Sequence, residues 1–114
     1  MQVLDKLSLA IATNKTTAIV GPSGCGKSTL ISLIERLFEP ASGTVTLDGV
    51  PLADYNLRWL RTTVQLVQQE PTLFLGSVYE NVASGLAGTL LNGLSREEKM
   101  KLVVEACKAA YAQD

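Results

Sequence analysis

Nine residues, Gly21 to Thr29, restrict what this chain can fold into more than any other stretch. They read G-P-S-G-C-G-K-S-T and match G-x-x-x-x-G-K-[ST], with Gly21, Gly26, Lys27 and Ser28 at the fixed positions. Glycine lets the backbone turn back on itself, so that successive N–H groups point into one concavity able to hold phosphate oxygens. Lys27 brings a point charge for the outer phosphates, and the Ser28 hydroxyl can ligate Mg²⁺. Before the loop stands T-T-A-I-V, Thr16 to Val20, a β-branched run that reads as a strand. After it comes an apolar-periodic helix whose N-terminus adds partial positive charge under the loop. Strand, glycine loop and helix in that order predict an α/β fold. The motif implies nucleotide phosphate binding by Gly21, Pro22, Ser23, Gly24, Cys25, Gly26, Lys27, Ser28 and Thr29.

The remaining chain fits one domain at most, since 114 residues with 46% hydrophobic content can bury a core but not two. Leu4 to Ala12 alternates, with Leu7, Leu9 and Ile11 on one face, and reads as a half-buried strand. The helix from about Lys27 carries Leu30, Ile31, Leu33, Ile34, Leu37 and Phe38, and Pro40 marks its end. Gly43 to Leu52 reads as strand, Asp48-Gly49 turn, strand. A short helix is expected over Asn56 to Arg61 with Trp59 as its packing anchor, then a strand over Val64 to Val67. Ser77 to Glu80 and Ser95 to Glu98 have capping-box spacing and each opens a helix. The second helix puts Cys107 on its apolar face, in the core, and the glycine-punctuated stretch 84–94 between them reads as loop.

Several chemistries are excluded. A net charge of −1 gives no electrostatic case for nucleic acid. No apolar run reaches the length of a membrane span and no basic region leads into one, so a soluble chain without a signal peptide is expected. Two distant cysteines, Cys25 and Cys107, suit a reducing compartment, and the absence of histidine removes histidine acid–base catalysis. Asp5, Glu80, Glu97, Glu98 and Glu105 read as caps or solvated faces, so no catalytic residue is expected in this chain.

The order hairpin, N-L-R-W-L-R, V-Q-Q-E-P and L-F-L-G-S-V-Y-E-N-V resembles the nucleotide-binding domain of ATP-binding-cassette transporters over nearly the whole chain. The likeness is to the multidrug and peptide exporter branch, of the P-glycoprotein type. Ser95 to Asp114 is similar to the start of that domain's helical subdomain, as in full-length fungal exporters. The resemblance implies an incomplete α/β P-loop NTPase fold with an N-terminal antiparallel β element. A core of about 1–83 would hold the Walker A and Q-loop, and about 84–114 would begin the helical subdomain. Gln69 would be the Q-loop glutamine, ligating Mg²⁺ together with Ser28. Glu70 to Phe74 would lie near the cleft that receives a coupling helix, and the apolar run Leu73, Phe74 and Leu75 reads either as local packing or as the floor of a partner-helix groove.

The resemblance also implies ATP and Mg²⁺ as cofactors, with a second nucleotide-binding domain and transmembrane domains as partners. The location would be the cytoplasmic face of a membrane, within an integral transporter. The parent would be an ATPase exporter. This chain has no upstream adenine-stacking aromatic, no L-S-G-G-Q signature, no apolar run ending in Asp-Glu for Walker B and no switch histidine. It is therefore expected to bind nucleotide without hydrolysing it. A P-loop strand left without its Walker B neighbour would expose its edge, so marginal stability is expected. Two other readings stand beside this one, a P-loop kinase for a small metabolite and a non-catalytic nucleotide-binding module acting through a partner.

Overall fold

The computed structural model describes residues 3–112, in two compact units, one ending at Gln65 and the other beginning at Leu66. Met1–Gln2 and Gln113–Asp114, the outermost residues of the two expected spans, lie outside the described residues.

In the first unit the Asp48-Gly49 turn is the clearest case of local sequence deciding structure. Both residues have positive φ, 49° and 80°, the type I′ geometry whose twist suits a two-residue hairpin. They join β1 (Thr46–Leu47) to β2 (Val50–Pro51), antiparallel, with Leu47 opposite Val50. The Tyr55 hydroxyl donates to Leu47 O at 2.9 Å, and Leu52, in a 3₁₀ turn over Leu52–Asp54, is buried. Helix α2 (Leu57–Thr63) follows, its N-cap Asn56 accepting from the Arg58 and Trp59 N–H groups. Its buried residue is Leu60. Trp59, expected as the packing anchor, is 47% exposed and stacks on Tyr55 with ring centroids 4.9 Å apart. The helix turns Leu60 inward and leaves Trp59 on its flank.

Helix α1 (Lys27–Ile34) ends four residues before Phe38, where the apolar spacing placed its end. Arg36 takes the left-handed conformation, φ 55°, with Arg36 N–H donating to Leu33 O and Leu37 N–H to Ser32 O. That is a Schellman termination with arginine where glycine is usual. The Arg36 guanidinium donates to Tyr55 O at 3.2 Å, which holds the turn in place.

Three expected strands, at Leu4–Ala12, Thr16–Val20 and Val64–Val67, do not form as paired strands. A strand exists through its hydrogen-bonded neighbour, and the sheet among the described residues is the two-stranded hairpin. The apolar residues of the first two segments accordingly lie open, with Leu7, Leu9, Ile11 and Val20 all exposed.

In the second unit both capping boxes form. Ser77 opens α3 (Val78–Ala83) and Ser95 opens α4 (Arg96–Ala109), each serine accepting from the N–H of the glutamate three residues on. The Arg96 guanidinium lies 5.6 Å from the centroid of the Tyr79 ring, a cation–π contact joining the two helices. Between them the expected loop contains two 3₁₀ turns, Ser84–Leu86 and Leu90–Gly93. Val103 is buried, whereas Cys107 is half-buried rather than fully in the core. Among the described residues no helix is long and apolar enough to cross a membrane.

Candidate functional site

The loop from Gly21 to Gly26 folds onto itself ahead of α1. Cys25 N–H donates to Pro22 O at 3.4 Å, and Gly24 and Gly26 take φ of 79° and 96°. L-residues with a side chain adopt that region rarely, so glycine is what the path requires. At Gly24 a Cβ would meet nothing within 4 Å, and there only the dihedral demands glycine. At Gly21 a Cβ would come within 2.7 Å of Cys25 Sγ, which measures how tightly the loop closes.

Lys27 secures that closure. Its Nζ donates to Gly21 O and Pro22 O, at 2.7 Å each, and lies 3.6 Å from Cys25 Sγ. An ammonium has three donors. Two therefore hold the loop's carbonyls inward, and the third has only a weak sulfur acceptor beside it.

Among the described residues, the N-terminus of α1 differs from those of α2, α3 and α4. Asn56, Ser77 and Ser95 cap α2, α3 and α4 with side-chain oxygens, whereas the N-cap of α1 is Gly26 and no side chain caps it. The first intrahelical bond is Leu30 N–H to Gly26 O at 2.9 Å. The N–H groups of Lys27, Ser28 and Thr29 thus precede any carbonyl the helix can offer. The Ser28 hydroxyl has no hydrogen-bond partner among the described residues and is exposed. Uncapped N–H groups, a helix dipole, an ammonium and a free hydroxyl can together receive a multiply charged oxyanion and an oxygen-ligated cation. The residues present therefore fit a nucleotide phosphate with Mg²⁺.

Gln69 lies in the second unit, exposed, at a bend in the segment between α2 and α3. Lys27 with Gly21, Pro22 and Cys25 are the predicted site residues that the structure joins by side-chain contact. No group of three or more His, Cys, Asp or Glu side chains gathers as a metal site among the described residues.

The Glu98 carboxylate accepts from the Ser95 hydroxyl and N–H and is held below the ordinary glutamate pKa by them. Glu80 is lowered likewise, first by the Ser77 N–H, then by the Ser77 hydroxyl, with a smaller contribution from Arg96. Both carboxylates are engaged as caps. Sequence reasoning did not single out Asn81, whose side chain holds the backbone at Phe74 and Ser77. Its partners are set by the path of the preceding loop, and no spacing rule reveals them.

A family profile described as ABC transporter matches residues 4–113. Over 112 residues the chain is 52% identical to the ABC multidrug transporter atrC of Emericella nidulans, covering 98% of this chain and 9% of that protein. It is 53% identical to the multidrug resistance protein sirA of Leptosphaeria maculans, with the same coverage. It is 50% identical over 111 residues to the ABC-type transmembrane transporter verA of Clonostachys rogersoniana, covering 97% of this chain and 9% of that one. The chain thus spans about 9% of the length of these relatives.

Proposed function

The chain belongs to the ABC transporter family, as part of a nucleotide-binding domain of the multidrug-exporter type, and from that premise we propose that it binds the phosphates of Mg-ATP for a membrane exporter. The observation that carries this reading is the bare N-terminus of α1 with Lys27 folded over the loop beside it. The backbone N–H groups from Gly24 to Thr29 and the third Lys27 donor would hold phosphate oxygens, and Pro22, Ser23 and Cys25 would line the cradle. Ser28 and Gln69 would ligate Mg²⁺, which when bound neutralises phosphate charge.

Phosphoryl transfer in such sites rests on positioning and charge neutralisation. The residues given roles here supply binding and orientation, and none acts as a general base. We assign residues of about 1–83 to the nucleotide-binding core and about 84–114 to the start of the helical subdomain. Glu70 to Phe74, with Leu73 to Leu75 exposed, would receive a helix of the exporter's membrane domain at the cytoplasmic face. A second nucleotide-binding domain would complete the ATP site.

Titration of Mg-ATP into wild type and Lys27→Ala tests the reading. A hydrogen bond to a charged group contributes about 1.5–3 kcal/mol, so Kd should rise roughly ten- to a hundredfold. Unchanged affinity would overturn it.

A further inference from the structure

The stretch ahead of α3 combines two features, bare apolar side chains and a fixed backbone. Its side chains are apolar and bare: Leu73 is 82% exposed, Phe74 67%, and Leu75 fully. Its backbone, in contrast, is fixed by polar groups reaching back from α3. Asn81 Oδ1 accepts from Phe74 N–H at 2.7 Å, while Asn81 Nδ2 donates to Phe74 O and to Ser77 O, each at 3.0 Å. One side-chain amide thus pairs with both polar groups of the Phe74 backbone, as a neighbouring strand residue would. One residue earlier, Glu80 Oε2 accepts from Ser77 N–H at 2.6 Å and from the Ser77 hydroxyl at 2.8 Å. Gly76 has φ 148°, and a Cβ there would lie 2.7 Å from that carboxylate, so the loop passes directly over α3.

Asparagine is a poor residue for a helix interior. Its place in α3 is accounted for by the three bonds it makes outside the helix. The bonds do not bury Leu73, Phe74 or Leu75; they hold the backbone so that these side chains stay displayed. An apolar surface prepared in this way lowers the ordering cost of binding.

We propose that Asn81 is a positioning residue for coupling, fixing the Phe74 backbone so that Leu73, Phe74 and Leu75 are presented in one conformation to a helix of the exporter's membrane domain. This rests on the docking reading given above. The occupant is chosen because about nine-tenths of the relatives' length lies outside the stretch matched, in proteins named as transporters. The bare side chains are apolar and offer a charged partner nothing.

The test uses the full-length exporter carrying this sequence, with three variants: Asn81→Ala, Asn81→Gln, and the double variant Leu73→Asp/Leu75→Asp. Basal ATP hydrolysis, its stimulation by transported drug, Mg-ATP affinity and amide exchange over residues 73–77 are read for each. With Asn81→Ala, stimulation should fall about threefold or more and exchange at Phe74 should accelerate at least tenfold, with basal rate and affinity within about twofold of wild type. Asn81→Gln, whose longer side chain cannot pair with both Phe74 groups from the same Cβ, should behave like alanine. Loss of basal rate, affinity and stimulation together in Asn81→Ala would mean a structural role only and overturn the inference. Retained stimulation in Asn81→Ala, with loss in the double variant, would overturn the role of Asn81 while leaving the docking reading intact. Retained stimulation in the double variant would overturn the docking reading itself.

Discussion

Gly26 and Gly43 offer a matched pair of substitutions that separates a loop shaped for a ligand from a loop that merely turns. Both glycines have positive φ, 96° and 87°. Alanine at either position incurs the left-handed penalty of about 1–2 kcal/mol. At Gly43 the added Cβ meets nothing within 4 Å, so Gly43→Ala should cost that amount of stability and nothing more. At Gly26 the Cβ would come within 2.8 Å of Leu4 Cδ2, the end of a flexible side chain, and 3.0 Å of Val3 Cγ1, which must give by a few tenths of an ångström. The difference lies in what the backbone does there. Gly26 sets the first carbonyl of α1 and the direction of the N–H groups after it. If alanine lowers the population of that loop geometry by 1–2 kcal/mol, the apparent Kd for Mg-ATP rises about five- to thirtyfold, at 1.4 kcal/mol per tenfold. Titration with a fluorescent ATP analogue, with thermal unfolding recorded on the same samples, reads both quantities. The expected pattern is a weakened Kd in Gly26→Ala and an unchanged Kd in Gly43→Ala, with both variants less stable. Equal Kd values for Gly26→Ala and wild type would refute the assignment of that backbone to the phosphate site.

Two further outcomes follow from the helix caps. Asn56→Ala removes the acceptor for two N–H groups of α2 and should cost about 1 kcal/mol, read as a lower denaturant midpoint; an unchanged midpoint would show that the cap contributes nothing. Glu80 and Glu98 have folded pKa values below their unfolded ones, so their contribution is complete above the unfolded value and is lost as pH falls through the folded value. Helical circular dichroism should therefore decline on the acid side, and the double variant Glu80→Gln/Glu98→Gln should flatten that limb; an identical limb in the variant would mean the caps are not its source.

The features legible in the sequence are those whose partners lie within a few residues. Asp48-Gly49 specified its turn because positive φ at two successive positions suits Asp and Gly. Ser77 with Glu80 and Ser95 with Glu98 specified two helix starts because a capping box closes within one turn. The turn of the Gly21–Gly26 loop into α1 is local in the same sense, with Lys27 bonding to carbonyls only five and six residues back. Thr16 to Val20 failed as a strand for the opposite reason. Its β-branched composition expresses a preference for an extended backbone, but the hydrogen bonds that make a strand must come from elsewhere in a sheet. The end of α1 was misplaced because Leu37 and Phe38 continue the apolar spacing, while Arg36 leaves the helix in a conformation that glycine would have signalled. Asn81 was hidden because its distant partner, Phe74, is seven residues away and depends on the loop turning back over α3.

The contrast among the helix starts of the described residues connects the fold to the proposed chemistry. Three helices carry their own cap in the sequence, and a side-chain cap contributes roughly 0.5–2 kcal/mol. The fourth, α1, begins with Gly26, which has no side chain to accept from the N–H groups of the first turn. A phosphate seated there would act as the cap, and by linkage it stabilises the state that binds it by about 2.7 kcal/mol at a hundred times its Kd. That is at least as much as a serine would supply permanently. A serine cap would satisfy those donors at all times and compete with the ligand for them. On the proposed reading, a first turn of α1 without a side-chain cap would give up a modest stability and leave its donors to a phosphate. Lys27, by bonding to Gly21 O and Pro22 O, holds the loop in shape without occupying those backbone N–H groups.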